Sequence, residues 1–300
     1  MSGVAGARVL VTGASGRIGS VTVERLAAAG ARVTALSSTP PEHPGADRVL
    51  VGDTTSEADV RDALDGVDLV VHLAALAHKN AGTPYDVYSV NVVSTFNVLA
   101  QAGALGIERA VVAGSINSYG LPQNVVELLP AYFPIDTNIP FDLGDWYSLS
   151  KRNDENTARM AWRHWGIDVV TLRFPHVNSP DALLEQSRGY AADPGEGVRE
   201  GWSYLDTRDA ARAIELGLTA STRGAHAFFL AADTTSAPYR TEELLDRFAP
   251  GVPRTRRFVE REVPIDLTPA RELIGFRAEH QLPVETTDLP ATELPATDLP

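Results

Sequence analysis

A short run of branched apolar residues, ARVLVTG (7–13), leads straight into three glycines, Gly13, Gly16 and Gly19, and then into GRIGSVTVERLAAAG (16–30), where Ile18, Val21, Val23 and Leu26 recur at helical spacing. The order is buried strand, glycine loop, helix. Glycines at this spacing serve a plain tight turn, or they clear side chains from a helix N-terminus so that a pyrophosphate reaches backbone N–H groups. Their place directly after an N-terminal strand points to the second use. The spacing, G-x-x-G-x-x-G, is one residue longer than the commoner dinucleotide fingerprint.

The alternation that starts here continues. Strands are expected at 31–37, 46–53, 67–75, 108–115 and 167–174, and helices at 56–64, 85–106 and 146–166. The strands are apolar throughout rather than every second residue, as befits a sheet covered on both faces. The fold class is therefore α/β, a Rossmann-type doubly wound parallel sheet. Beyond Phe174 the pattern loosens. A loop-rich stretch runs to about Trp202, followed by a strand-to-helix segment at 204–220, a strand at 226–232 and short helices at 240–248 and 268–275. These pieces read as a small substrate-binding cap over the C-terminal edge of the sheet. The expected organisation is one domain over 1–280, with a cofactor-binding core at about 7–174 and a cap at about 175–280. Residues 281–300, in which T-[DE]-L-P occurs three times, read as a low-complexity, disordered tail.

A formal net charge of −13 argues against a nucleic-acid or anionic-membrane surface. No apolar run reaches the length of a membrane span, and the N-terminus lacks the pattern of a signal peptide, so a cytoplasmic location is expected. With no cysteine there is no disulfide, thiolate nucleophile or Cys-ligated metal; no metal site is read.

The end of the second strand bears on the choice of cofactor. NAD-binding chains place a carboxylate there for the ribose hydroxyls, whereas this chain has Ser37, Ser38 and Thr39. With Arg17 in the glycine loop available for a 2′-phosphate, the reading favours NADP over NAD, the alternative being a neutral site that accepts both. Asp53, after the third strand, is a candidate for the adenine amine or an N-cap for the next helix. Ser15, Ile18 and Thr54 complete the candidate cofactor contacts of these loops.

Two lysines, Lys79 and Lys151, stand against twenty-four arginines. Lys151 lies four residues after Tyr147, on the same helix face. A fixed ammonium favours the phenolate of a neighbouring tyrosine, and a proton carrier tuned toward neutrality is what hydride transfer to or from a carbonyl carbon needs. Ser115 ends an apolar strand at the edge of the sheet where such folds bind ligands, in position to hold a substrate oxygen while Tyr147 moves the proton.

Taken together, TGASGRIG, HLAA, NVVSTFNVLAQA, GSINSYG, YSLSK and LRFPHV, with the later WSYLDTRDAARAI and LTPARELIGF, resemble the extended short-chain dehydrogenase/reductases, and within them the NAD-dependent epimerase/dehydratase branch, over about residues 7–280. The resemblance implies a catalytic triad of Ser115, Tyr147 and Lys151, a phosphate loop at Gly13, Gly16 and Gly19, and an adenine contact at Asp53. It also implies that Leu73, Ala74 and Ala75 pack along the cofactor, that Pro175 passes the nicotinamide, and that the chain forms a homodimer through its two long helices. On the substrate side the candidates are Ser115, Asn117, His176 and Arg199. His176 stands where many sugar-nucleotide epimerases carry asparagine, and Trp202 where they carry arginine, with Arg199 three residues earlier. Asp142 and Asp145 are the only carboxylates close to Tyr147. The expected activity is hydride transfer between a nicotinamide and a hydroxyl or carbonyl carbon of a small polar molecule, a sugar derivative or specialised metabolite. A sugar-nucleotide epimerase and a non-catalytic dinucleotide sensor are the alternatives.

Overall fold

The computed structural model describes residues 3–40 and 45–290. Its elements follow in chain order: β1 (Arg8–Thr12), α1 (Arg17–Ala28), β2 (Arg32–Ser37), β3 (Arg48–Val51), α2 (Glu57–Ala63), β4 (Leu69–His72), α3 (Pro84–Ala104), β5 (Arg109–Ser115), α4 (Trp146–Trp165), β6 (Asp168–Phe174), β7 (His176–Asn178), α5 (Pro180–Ala192), β8 (Tyr204–Asp206), α6 (Thr207–Thr219), β9 (Ala225–Phe229), α7 (Thr241–Phe248) and α8 (Thr268–Ile274). Single 3-10 turns follow β5 and α5.

Seven strands form one parallel sheet in the order β3-β2-β1-β4-β5-β6-β9, and β7 pairs with β8 in a separate two-stranded ribbon. The strand order turns back between β1 and β4, which opens a crevice beyond their C-terminal ends. The apolar runs are explained by two-sided burial. Val9 and Val11 of β1 pack with Val23 and Leu26 of α1 and Ile214 of α6. Leu10, between them, packs on the opposite face with Val60 of α2, Leu99 of α3 and Ala158 of α4.

Local chemistry fixes the helices that reach the crevice. Thr83 and Asp86 form a capping box at the start of α3, with Pro84 at its first position. Asp145 caps α4, accepting from the Ser148 N–H at 2.8 Å. Tyr147 therefore stands in the first turn of α4 and Lys151 one turn later. By contrast α1 begins at Gly16 with no side-chain cap and no acidic residue in its first turn, so its leading N–H groups remain available for an anion.

Beyond β6 the organisation differs from the sequence expectation in three respects. Residues 180–192, expected as loop, form α5. Its apolar face is small, with only Leu183, Ser187 and Tyr190 buried, and Pro180 opens the helix rather than breaking one. Second, α6, β9 and α8 belong to the main layers rather than to a cap. β9 is the seventh strand of the sheet, and Ala270 and Ile274 of α8 join the core on the α1 side. The cap instead recruits the segment after β5. Phe133 and Ile135 pair with Arg254 and Ile265, and Phe133, Trp202, Leu244, Leu245 and Ile265 share one cluster.

Third, residues 281–290 dock. Leu282 is buried against Leu183, Tyr204 and Ala232, and its N–H donates to the Tyr204 hydroxyl at 2.8 Å. The Val284 carbonyl accepts from Arg261 at 2.7 Å, and the Thr287 N–H donates to the Pro238 carbonyl at 2.7 Å. Leu282, Leu289 packed against the cap cluster, and a few hydrogen bonds to backbone groups hold this segment without any periodic pattern. The remaining repeats, at 291–300, lie outside the described residues.

Candidate active site

Two cavities open in the crevice and meet at the glycine loop. The larger, about 700 Å³, is lined by Gly16, Ser115, Tyr147, Lys151 and Pro175 among others. The smaller, about 340 Å³, is lined by Ser15, Ser37, Ser38, Asp53, Thr54 and Ala74 among others. Gly13, Gly16, Leu73 and Ala75 border both. A bent, two-armed groove with a helix N-terminus at its elbow fits a dinucleotide. The backbone here tolerates no side chain. A Cβ on Gly13, whose φ is +66°, would lie 2.7 Å from the Ala74 nitrogen, and one on Gly19 would lie 2.1 Å from the Gly13 carbonyl oxygen. The glycines thus let β1, β4 and α1 close on one point.

In the smaller arm the loop is tied to β2. The Ser15 N–H donates to Ser37 Oγ at 2.8 Å, and Ser15 Oγ donates to the Thr39 carbonyl at 2.9 Å. Asp53 Oδ1 accepts from the Thr55 N–H at 2.8 Å. The cap of α2 is Ser56 and not Asp53. Thr54, buried, donates to Ser94 Oγ at 2.8 Å. The placement of Arg17 corrects the sequence expectation. Its Nη1 donates to the Val177 carbonyl of β7 at 3.0 Å, and it lines the larger arm. Among the described residues lining the smaller arm there is no lysine or arginine.

In the larger arm Ser115 Oγ accepts from the Asn117 N–H at 3.1 Å and from Asn117 Nδ2 at 3.2 Å. Its own hydrogen is left to donate. Asn117 Oδ1 is buried without a partner. Lys151 is buried, and its Nζ donates to the Ala113 carbonyl at 3.0 Å and to Asp154 Oδ2 at 3.1 Å. Burial pulls the Lys151 ammonium down, but Asp154 and Tyr147 together outweigh it and hold it above its ordinary value. His176 also lines this arm; burial and then Arg17 push its imidazole down, toward the neutral form. Gly19, Ile18 and Asn117 complete the expected residues found there.

Arg199 is the expected residue that the cavities do not include. It sits in the cap, where its carbonyl accepts from the Tyr119 hydroxyl. Its neighbour Glu200 lines the larger arm instead, held by the Tyr190 hydroxyl at 2.6 Å. Burial raises the Glu200 carboxyl, with Tyr190 and Arg199 opposing. His78 and Gln123 line the same arm. The second lysine, Lys79, straps their two loops together, donating from Nζ to the Gln123 carbonyl at 2.9 Å. Trp202 is fully buried and donates from Nε1 to the Pro194 carbonyl at 2.7 Å. It is a core residue of the cap. Among the described residues no helix is long and apolar enough to cross a membrane.

The profile of the NAD dependent epimerase/dehydratase family matches residues 9–192. The L-arabinose 1-dehydrogenase (NAD(P)(+)) of Haloferax volcanii is 32% identical over 186 residues, which cover 60% of this chain and 71% of that one. The uronate dehydrogenase of Pseudomonas putida is 29% identical over 169 residues, covering 55% of this chain and 59% of that one. A short-chain dehydrogenase/reductase superfamily protein from Agrobacterium tumefaciens, solved with bound NAD, superposes with a TM-score of 0.69 at 24% identity, covering 92% of this chain and 93% of that one. With the matched profile spanning more than half of its length, the chain belongs to the NAD-dependent epimerase/dehydratase family of enzymes.

Proposed function

We propose that this chain is an NAD-dependent dehydrogenase acting on a hydroxyl-bearing carbon of a small neutral sugar or related polyhydroxy compound. The observation that carries the reading is the convergence of Ser115, Tyr147 and Lys151 on the cavity that the glycine loop borders. Bound NAD supplies the acceptor for the hydride that leaves the substrate carbon. Ser115 holds the substrate oxygen with the hydrogen that its Asn117 contacts leave free. Tyr147 Oη takes the hydroxyl proton as the C–O bond becomes C=O. Lys151 presents its remaining N–H to the cofactor side. Asn117 Oδ1 and the Glu200 carboxylate accept from further substrate hydroxyls.

The charge of the pocket supports a neutral substrate. Arg17 and Lys151 are the only lysine or arginine among the described residues lining the larger arm, and both stand by the cofactor loop and strand ends. Glu200 adds a carboxylate where an acidic substrate would sit. A sugar-nucleotide epimerase would meet that carboxylate with its diphosphate, and the Trp202 position offers it no cation. Asp145 is spent on its helix cap, so it supplies no free acid beside Tyr147. For the cofactor, NAD replaces the expected NADP in this reading. A 2′-phosphate brings a charge of about −1.5 to −2, and the smaller arm presents hydroxyls and Asp53 rather than a cation. A homodimer through α3 and α4 remains part of the proposal, as Phe96 and Trp162 are 50% and 41% exposed there.

The test is NAD⁺ reduction, followed by absorbance, with L-arabinose and other neutral aldoses, beside calorimetric titration with NAD⁺ and NADP⁺. Tyr147→Phe should keep cofactor affinity and lose about 10²–10⁴-fold in turnover. A loss smaller than about tenfold refutes the proton-carrier role, and tighter binding of NADP⁺ refutes the cofactor assignment.

A further inference from the structure

We propose that Asp154, a buried carboxylate outside the cavity, is a positioning residue for Lys151: it orients the ammonium toward the cofactor and keeps it charged. The inference rests on the reading of Lys151 as a cofactor-side residue. An ammonium has three N–H donors. Two are used inside the protein, one on the Ala113 carbonyl of β5 at 3.0 Å and one on Asp154 Oδ2 at 3.1 Å. With two directions fixed, the third is fixed as well, and Lys151 borders the cavity. The side chains of Lys151 and Asp154 are 5% and 0% exposed, so water does not screen the pair.

Burial raises the Asp154 carboxyl above its ordinary value, while Lys151 and Thr95 pull the other way and favour its charged form. Behind the carboxylate lies a polar chain that runs back to the glycine-loop strand. Thr12 Oγ1 accepts from the N–H groups of Leu73 and Ala74 at 3.2 and 3.3 Å. Its hydrogen therefore goes to His72 Nδ1, 2.8 Å away. His72 then donates from Nε2 to Thr95 Oγ1 at 3.2 Å, and the Thr95 hydroxyl stabilises the Asp154 carboxylate. Every link gives its hydrogen toward Asp154. The other groups around Lys151 do not replace it. His72 of β4 is neutral, held down by burial and by Lys151 itself. Glu155, the next residue, is taken by Arg173 of β6 at 2.8 and 3.0 Å. Tyr147 lies one turn before Lys151 on α4, and Arg17, which also lines the cavity, is bonded to the Val177 carbonyl.

Asp154→Asn tests the assignment through cofactor binding, without a substrate. NAD⁺ affinity is measured calorimetrically for parent and variant at pH 7.0 and pH 9.5. With its counter-ion gone, the buried ammonium loses its proton within this range, so the variant-to-parent affinity ratio should fall at least about fivefold between the two pH values. A purely structural role lowers affinity or melting temperature equally at both. Asp154→Ser replaces the asparagine variant if the latter does not fold. A ratio that is the same at both pH values overturns the proposal. Lys151→Met separates this from failure of the underlying reading: if it binds NAD⁺ as the parent does, both fall, and if it weakens binding while Asp154→Asn shows no pH dependence, only the role of Asp154 falls.

Discussion

The polar chain behind Lys151 contains a histidine whose titration the fold opposes. His72 is buried, accepts from Thr12 and donates to Thr95. Burial, with the Lys151 charge adding to it, pushes its imidazole from the usual 6.5 down to about 3. The direction of the linkage follows. The folded protein binds this proton less readily than the unfolded chain, so the unfolded chain gains protons first as pH falls. Stability is full above the unfolded value and declines as pH drops from 6.5 toward about 3. At pH 5.0 the difference is about 2 kcal/mol, since each pKa unit corresponds to about 1.4 kcal/mol. For a chain of this length, with an unfolding entropy of about 2 cal/mol/K per residue, that is a melting shift of about 3 °C. Other groups also titrate between pH 7.5 and 5.0, so the comparison is with His72→Gln, which keeps an amide and has no proton to gain. The parent should lose about 3 °C more than His72→Gln over this interval in thermal unfolding followed by circular dichroism. Equal losses would refute the account, because they would mean that His72 is free to charge or that the fold admits water to it.

Two further outcomes follow from the packing. Gly19→Ala places a Cβ against the Gly13 carbonyl at 2.1 Å, so the loop must move, and NAD⁺ affinity by calorimetry should drop by at least about tenfold; unchanged affinity would show that the loop is not the cofactor's seat. Leu282→Ala removes the anchor of the docked segment from its contacts with Leu183, Tyr204 and Ala232, and should lower the melting temperature by about 3 °C for a loss of about 2 kcal/mol; no change would mean that residues from Gln281 onward do not hold to the cap.

The elements up to β6 were legible because each announces its own physics. Two-sided burial writes continuous apolar runs, as in β1, where Val9 and Val11 meet α1 and α6 while Leu10 meets α2, α3 and α4. Helix starts carry caps, such as Thr83 with Asp86. After β6 these signals thin out. α5 buries only three side chains, too few for a period to show. The strand at 225–229 was recognisable, but nothing local says which edge it joins. Its place beside β6 is decided by α6, which carries the chain back over the sheet face. The docking of Leu282 depends on Tyr204 and Ala232, far away in sequence, and no repeat or charge pattern encodes it.

The same division runs through the candidate site. That the glycine loop, Tyr147 and Lys151 meet at one cavity was legible because this placement depends on backbone clearance and on one helical turn. Arg17 misled because a long side chain is directed by its acceptor, here the Val177 carbonyl, 160 residues away in sequence. Glu200 was missed beside Arg199 because which of two adjacent charged residues turns into a cavity is set by the 3-10 turn they share and by Tyr190. The lysine at 151, in a chain with twenty-four arginines, has its reason in the same kind of distant contact. Two acceptors from different elements, a strand carbonyl and a helix carboxylate, converge on one nitrogen at 3.0 and 3.1 Å. A compact ammonium meets both and keeps a third donor. A guanidinium spreads its donors over a planar fork that matches a carboxylate held side-on, the arrangement Arg173 makes with Glu155 on the same helix. Lysine and arginine are thus each used where the acceptor geometry selects them, at two adjacent carboxylates of α4, and the point-like site is the one that borders the larger cavity.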